Sequence, residues 1–187
     1  MRFAVLGPLE VSTDSGQAVD VGGRQPRVVL AALVAARGRP VNVATLTEAI
    51  WGEEPPASAT GTLQTYVSRL RRLLDEHGGP PLVLDDAGYR LDLAGHTVDL
   101  ERFEALVAAG HEHVAAGDAA AGREVLAEAL DLWRGPALAE LADHPASLAQ
   151  AVALEERRLV VVEQRIAADL DLGRHAHVVG ELQALAV

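Results

Sequence analysis

The chain has 187 residues, 49% of them hydrophobic and 23% charged, which is apolar mass enough for one ordinary domain or two small ones. All 16 basic residues are Arg and there is no Cys, so Walker-type phosphate loops, Schiff-base chemistry, thiolate nucleophiles, thiolate metal sites and disulfides are excluded. The net charge of −11 is unevenly spread: residues 1–95 hold 9 Arg against 11 acids and residues 96–187 hold 7 against 16, so a nearly neutral first half can still present a basic face to phosphate.

The segment Met1 to Val11 carries one Arg and then alternates, unlike the continuous apolar core of a signal peptide. The longest apolar run, Val28 to Ala36, is far short of the roughly 20 residues of a membrane span, so a cytoplasmic protein without membrane contact is expected. Phe3 and Val5, then Leu9 and Val11, alternate around Gly7-Pro8, and Asp14-Ser15-Gly16 supplies a turn before Gln17 to Val21. These segments predict a small antiparallel sheet. Val29, Leu30, Leu33 and Val34 share one face of a first helix, about 26–37, stopped by Gly38. Asn42 can cap a short second helix with Val43, Leu46, Ala49 and Ile50 inward, closed by Trp51-Gly52 and followed by a Glu53-Glu54-Pro55-Pro56 loop.

Leu63, Val67, Leu70 and Leu74 form the stripe of a third helix, about 57–76, which Gly78-Gly79-Pro80-Pro81 ends. Leu82-Val83-Leu84 and Tyr89-Arg90-Leu91 then read as a hairpin around Asp85-Asp86-Ala87-Gly88. Three helices followed by a hairpin is the order of a winged helix-turn-helix. Beyond Gly95 the chain is Ala-rich, acidic and helical, in segments of about 99–116, 119–133, 146–172 and 175–186 with an irregular stretch between Gly135 and Pro145. The pair joined at Gly117-Asp118 has the size of a tetratricopeptide-type unit, although no second copy is in register. The expected architecture is an α+β winged helix-turn-helix domain over 1–95 and an all-α, tetratricopeptide-like domain over 96–187.

At 100° per residue, the apolar stripe of the third helix leaves Gly61, Gln64, Thr65, Ser68, Arg71 and Arg72 on the opposite arc, with Arg69 at its margin. Arg can bond a guanine edge or a phosphate, Gln can bond adenine bidentately, and Ser and Thr reach either, so this arc suits the major groove. By spacing alone a solvated helix face is the simpler reading. On the first view, replacing Arg71 or Arg72 is expected to weaken DNA binding with the fold intact. Two carboxylates at the hairpin tip, Asp85 and Asp86, oppose phosphate contact, which leaves Arg90 as the phosphate ligand of that element.

No catalytic constellation is present. There is no Gly-x-Ser-x-Gly elbow, and His111-Glu112 begins a His-Glu-x-x-His motif that fails at Ala115. The pairs His111/His113 and His175/His177 diverge by about 200° on a helix and cannot chelate one ion, so neither metal nor cofactor is expected. Trp133 ends an apolar helix and is expected in the core.

Phe3-Ala4-Val5-Leu6-Gly7-Pro8-Leu9-Glu10-Val11, Leu46 through Trp51-Gly52, Thr62 through Leu74 and Gly88-Tyr89-Arg90-Leu91 together resemble the OmpR-type winged helix of the Streptomyces antibiotic regulatory protein family. Asp99-Leu100-Glu101-Arg102-Phe103, Ala129 through Pro136 and Leu154-Glu155-Glu156-Arg157-Arg158 resemble the bacterial transcriptional activator domain that follows it. The resemblance implies an activator of a biosynthetic gene cluster that binds double-stranded promoter DNA, as a dimer on direct repeats, and recruits RNA polymerase. It places the helix from Thr62 to Leu74 in the major groove and the loop from Trp51, with Gly52, Glu53 and Glu54, against the polymerase sigma subunit; Trp51 suits core packing equally well. The family's activator domain continues further, so the helical half is expected to be incomplete. The second reading open to these residues is a protein-interaction scaffold whose winged helix binds protein rather than DNA.

Overall fold

The structure, a computed structural model, describes residues 1–185, with the side chains of 145, 146, 177, 182, 184 and 185 outside the described set. In chain order the elements are β1 (Arg2–Ala4), β2 (Glu10–Ser12), α1 (Arg24–Ala35), α2 (Val43–Trp51), α3 (Ala59–Glu76), β3 (Leu82–Asp85), β4 (Gly88–Leu91), β5 (Thr97–Val98), α4 (Asp99–Ala115), α5 (Ala119–Asp131), a 3-10 turn (Ala139–Leu141), α6 (Pro145–Asp171) and α7 (His175–Leu185). An α+β winged helix followed by helices is the expected architecture. The residues gather into two compact units, Met1–Leu100 with Arg134–Val152, and Glu101–Trp133 with Ala153–Val187.

In the first unit, β1 pairs antiparallel with β2, Phe3 opposite Val11, and Phe3, Val5, Leu9 and Val11 are buried as their alternation predicts. The expected third strand over Gln17–Val21 is instead a single bridge between Ser12 and Ala18. The third strand of the sheet is β5, which lies parallel to β1 at the opposite edge. A two-residue strand has no periodicity to betray it, and its partner is almost a hundred residues away in sequence.

Helix α1 is the centre of this core. Its residues Val28 to Ala31 and Leu33 to Ala35 are buried all round, against α2, α3, β4 and the 3-10 turn. The Asn42 side-chain oxygen accepts the Thr45 N–H at 2.7 Å, the N-cap expected for α2. Leu63, Val67, Leu70 and Leu74 of α3 are all buried, so the predicted stripe is the face that anchors this helix.

The irregular stretch after Gly135 belongs to the same unit. The Arg134 N–H donates to the Leu6 carbonyl at 2.8 Å and the Leu138 N–H to the Val5 carbonyl at 2.8 Å, so this segment runs along the β1–β2 loop. The Arg134 guanidinium reaches the Pro8 carbonyl at 2.9 Å and Glu10 at 2.7 Å. Gly7 permits this approach: its φ is +144°, and a Cβ there would lie 3.0 Å from that of Arg134. The Asp99 carboxylate accepts the Val5 and Leu6 N–H groups at 2.8–2.9 Å, and its burial pushes its pKa up.

In the second unit, Phe103 meets Trp133 edge-on with centroids 5.4 Å apart, and Trp133 is buried as expected. The fully buried Asp169 receives Arg123 Nε at 3.1 Å, Arg165 Nη1 at 3.1 Å and Arg174 Nη1 at 3.3 Å. Burial works to raise the Asp169 pKa, but the hydrogen bonds from Arg165 and Arg123 outweigh it and hold the carboxyl below its ordinary 3.8. A lowered folded-state pKa means that the unfolded chain binds this proton more tightly. The stability that Asp169 supplies is therefore complete above pH 3.8 and is lost as pH falls from there through the lower folded value. The expected result is that Asp169→Asn lowers the melting temperature at neutral pH and flattens its decline below about pH 4, followed by circular dichroism.

Candidate nucleic-acid interface

Above its buried stripe, α3 exposes Gln64, Thr65, Ser68, Arg69 and Arg72. The Thr65 hydroxyl donates to the Gly61 carbonyl at 3.0 Å, and Thr62 does the same to Ser58 at 3.0 Å, so both side chains are held against their own helix. Arg72 is 82% exposed and, among the described residues, pairs only with Glu76, at 3.4 Å. Arg69, which the helical wheel sets at the margin, is exposed and makes no hydrogen bond or ion pair among the described residues. A shallow cleft lined by Ser58, Gly61, Thr62, Thr65, Tyr66 and Arg69 opens at the start of the helix.

Arg71 departs from this arc. It is half-buried, its Nε donates to the Leu82 carbonyl at 2.7 Å, and its guanidinium sits 5.9 Å from the centroid of the Tyr89 ring. The helical wheel treats α3 in isolation, whereas the hairpin packs on its flank and takes Arg71 as a strut. The expectation that replacing Arg71 leaves the fold intact therefore does not hold; Arg72 keeps it.

In the hairpin, Leu84 faces Tyr89 and Asp85 faces Gly88. Asp85 Oδ1 accepts the Ala87 N–H at 2.9 Å and the Gly88 N–H at 3.1 Å, so this carboxylate closes its own turn, a structural reason for an acid at a tip that phosphate would disfavour. Arg90 is half-exposed, and its Nε lies 3.9 Å from Asp85, which balances part of its charge. The returning strand docks, just after the hairpin tip, on the segment before α2: Val41 N–H donates to Tyr89 O at 2.8 Å and Tyr89 N–H to Val41 O at 2.9 Å.

Gly88 makes that docking possible. Its φ is +136°, and a Cβ there would lie 2.2 Å from the Val41 carbonyl oxygen. Gly88→Ala should destabilise the unit by about 2–4 kcal/mol in urea denaturation, with amide exchange at Tyr89 and Val41 accelerating more than in α1. Sequence reasoning assigned Gly88, Val41 and Tyr89 no positioning role, because nothing local marks a contact between residues so far apart.

Trp51 is half-buried, a placement compatible with packing and with contact to a partner, and Gly52, Glu53 and Glu54 are exposed. His111 Nε2 lies 2.6 Å from Gln164 Oε1, while His113 and His175 are exposed and the His177 side chain lies outside the described residues. No helix among the described residues is long and apolar enough to cross a membrane.

Residues 16–91 match the family model described as transcriptional regulatory protein, C terminal, and residues 98–187 match the bacterial transcriptional activator domain. The chain is 42% identical over 186 residues to the regulatory protein AfsR of Streptomyces coelicolor, covering 99% of this chain and 18% of that protein. It is 38% identical over 193 residues to the regulatory protein DnrI of Streptomyces peucetius, covering 99% of this chain and 71% of that protein. The solved structure of Mycobacterium tuberculosis EmbR in complex with a low affinity phosphopeptide is similar with a TM-score of 0.88 and 39% identity, over 98% of this chain and 49% of that one. The chain thus spans less than a fifth of AfsR and about half of EmbR.

Proposed function

The chain belongs to the Streptomyces antibiotic regulatory protein family of transcriptional regulators, and from that premise we propose that it activates transcription by reading promoter DNA through α3. It is a regulator rather than an enzyme. The observation that carries the proposal is the open arc of Gln64, Thr65, Ser68, Arg69 and Arg72 above a fully buried stripe. Such a helix can enter a major groove without unpacking its own core. Gln64 offers a bidentate partner for adenine, Arg69 and Arg72 for guanine or phosphate, and Thr65 and Ser68 for either. Arg90 reaches a phosphate beside the groove, against a field weakened by Asp85. Arg71 serves from behind, by fixing the hairpin relative to α3.

The promoters of a biosynthetic gene cluster are the intended targets, with two copies on direct repeats. The exposed loop Gly52-Glu53-Glu54, with Trp51 at its root, meets the polymerase sigma subunit. The helical half, at 7 Arg against 16 acids, is repelled from DNA and left to protein contacts, including dimerisation.

The test is fluorescence anisotropy of the chain on cluster promoter fragments and on random duplex across a salt series. Promoter affinity should exceed random-duplex affinity and fall steeply with salt, the logarithmic slope growing by about 0.9 for each phosphate contacted. Equal affinity for both duplexes at every salt concentration would favour the scaffold reading, in which the winged helix binds protein.

A further inference from the structure

The helical half of the chain has 16 acids and 7 Arg, yet one cavity in the second unit is lined by three arginines against two carboxylates. It lies among α5, α6 and α7 with a volume of about 690 Å³, a size typical of small-molecule sites. Arg123, Arg158 and Arg165 converge on it, over an apolar floor that includes Ala127, Leu130 and Val162.

The three arginines are engaged to different degrees. Arg165 is the most engaged: it binds Asp169 and grips the Glu181 carboxylate with both terminal nitrogens, Nη1 at 2.7 Å from Oε2 and Nη2 on Oε1. Arg123 uses only its Nε, on Asp169, and its terminal nitrogens make no hydrogen bond among the described residues. Arg158 lies 5.0 Å above the Trp133 ring and 3.6 Å from Glu155, an ion pair without a hydrogen bond. Two guanidinium groups thus keep donors open to solvent beside apolar lining, where an anion can take charge-assisted hydrogen bonds from them.

The geometry points to a binding site for a small amphipathic carboxylate, its anionic end held by Arg158 and Arg123 and its apolar body on Leu130 and Val162. The Glu181 carboxylate in the Arg165 fork shows that the cavity accommodates this group beside it. This site is separate from α3 and stands whether or not α3 reads DNA.

Isothermal titration of the chain with 4-phenylbutyrate, and with 4-phenyl-1-butanol as its uncharged analogue, tests the assignment. The acid should bind saturably, one per chain, and at least about tenfold more tightly than the alcohol. Arg158→Gln removes a ring contact and an exposed ion pair, so its melting temperature should stay near that of the parent while its affinity for the acid falls at least about tenfold. Ala127→Phe fills the floor and should abolish binding by a route that leaves every arginine in place, and Arg102→Gln, on α4, should bind as the parent does. Equal binding of acid and alcohol, undiminished affinity in Arg158→Gln or Ala127→Phe, or no saturable heat would each overturn the site.

Discussion

Replacing Glu140 with alanine should lower the stability of the first unit by about 3 kcal/mol, measured by urea denaturation. Its carboxylate is 10% exposed, accepts the Leu9 N–H with both oxygens at 2.8 and 2.9 Å, and holds Arg27 Nη2 at 2.6 Å. The same Arg27 nitrogen donates to the Leu9 carbonyl, so three groups are cross-linked: α1, the β1–β2 loop and the segment after Arg134. Alanine leaves a half-buried guanidinium without its counter-charge and a backbone N–H without an acceptor, and both penalties act together. Glu140→Gln keeps a neutral acceptor and should lose about half as much. In a double-mutant cycle with Arg27→Ala the two losses should fall short of additivity by about 1–2 kcal/mol. Additive losses would mean that the pair is not coupled in solution. For the same reason a fragment ending at residue 95, which lacks Asp99, Arg134 and Glu140, should unfold at lower urea than the whole chain.

That cross-link also marks where sequence reading reaches its limit. The helices were legible because each carries its own signal within a few turns: the stripe of α3, the Asn42 cap, the glycine stops after α1, α4 and α6. The outward arc of α3 followed by subtraction from the stripe, and Gly61, Gln64, Thr65, Ser68 and Arg72 are exposed as it predicts, while Arg69, set at its margin, is exposed too. Arg71 fails the subtraction because its partner, the Leu82 carbonyl, lies on the hairpin, and no helical wheel knows which flank a neighbouring element will cover. β5 and the segment from Arg134 were illegible for a related reason. Their partners, Phe3, Val5 and Leu6, are more than ninety residues away, and the contacts are made by backbone groups that every residue possesses. Asp85 shows the converse. Its unfavourable charge was visible in the sequence, while its role in closing the turn needed the coordinates.

Changing Arg69 and Arg72 together to alanine should weaken promoter binding by about a hundredfold without disturbing the fold. Neither side chain has a buried partner, and the Arg72–Glu76 pair is exposed on both sides, so stability should change little and the melting temperature should match that of the parent. Each guanidinium is exposed to solvent, and on the proposed reading each single substitution should weaken promoter binding by about tenfold, the double by about a hundredfold. The salt dependence separates their roles. An arginine on phosphate takes about 0.9 from the logarithmic salt slope when removed and weakens all duplexes alike. An arginine on a guanine edge leaves the slope nearly unchanged and relaxes preference at one base position. Glu76→Gln should act in the opposite direction, raising affinity modestly by releasing Arg72. Arg71→Ala should lower binding and melting temperature in step, since the hairpin loses its strut, which distinguishes positioning from contact. If the Arg69/Arg72 double variant retains parental affinity at low and physiological salt, the outward face of α3 is not the surface that meets DNA.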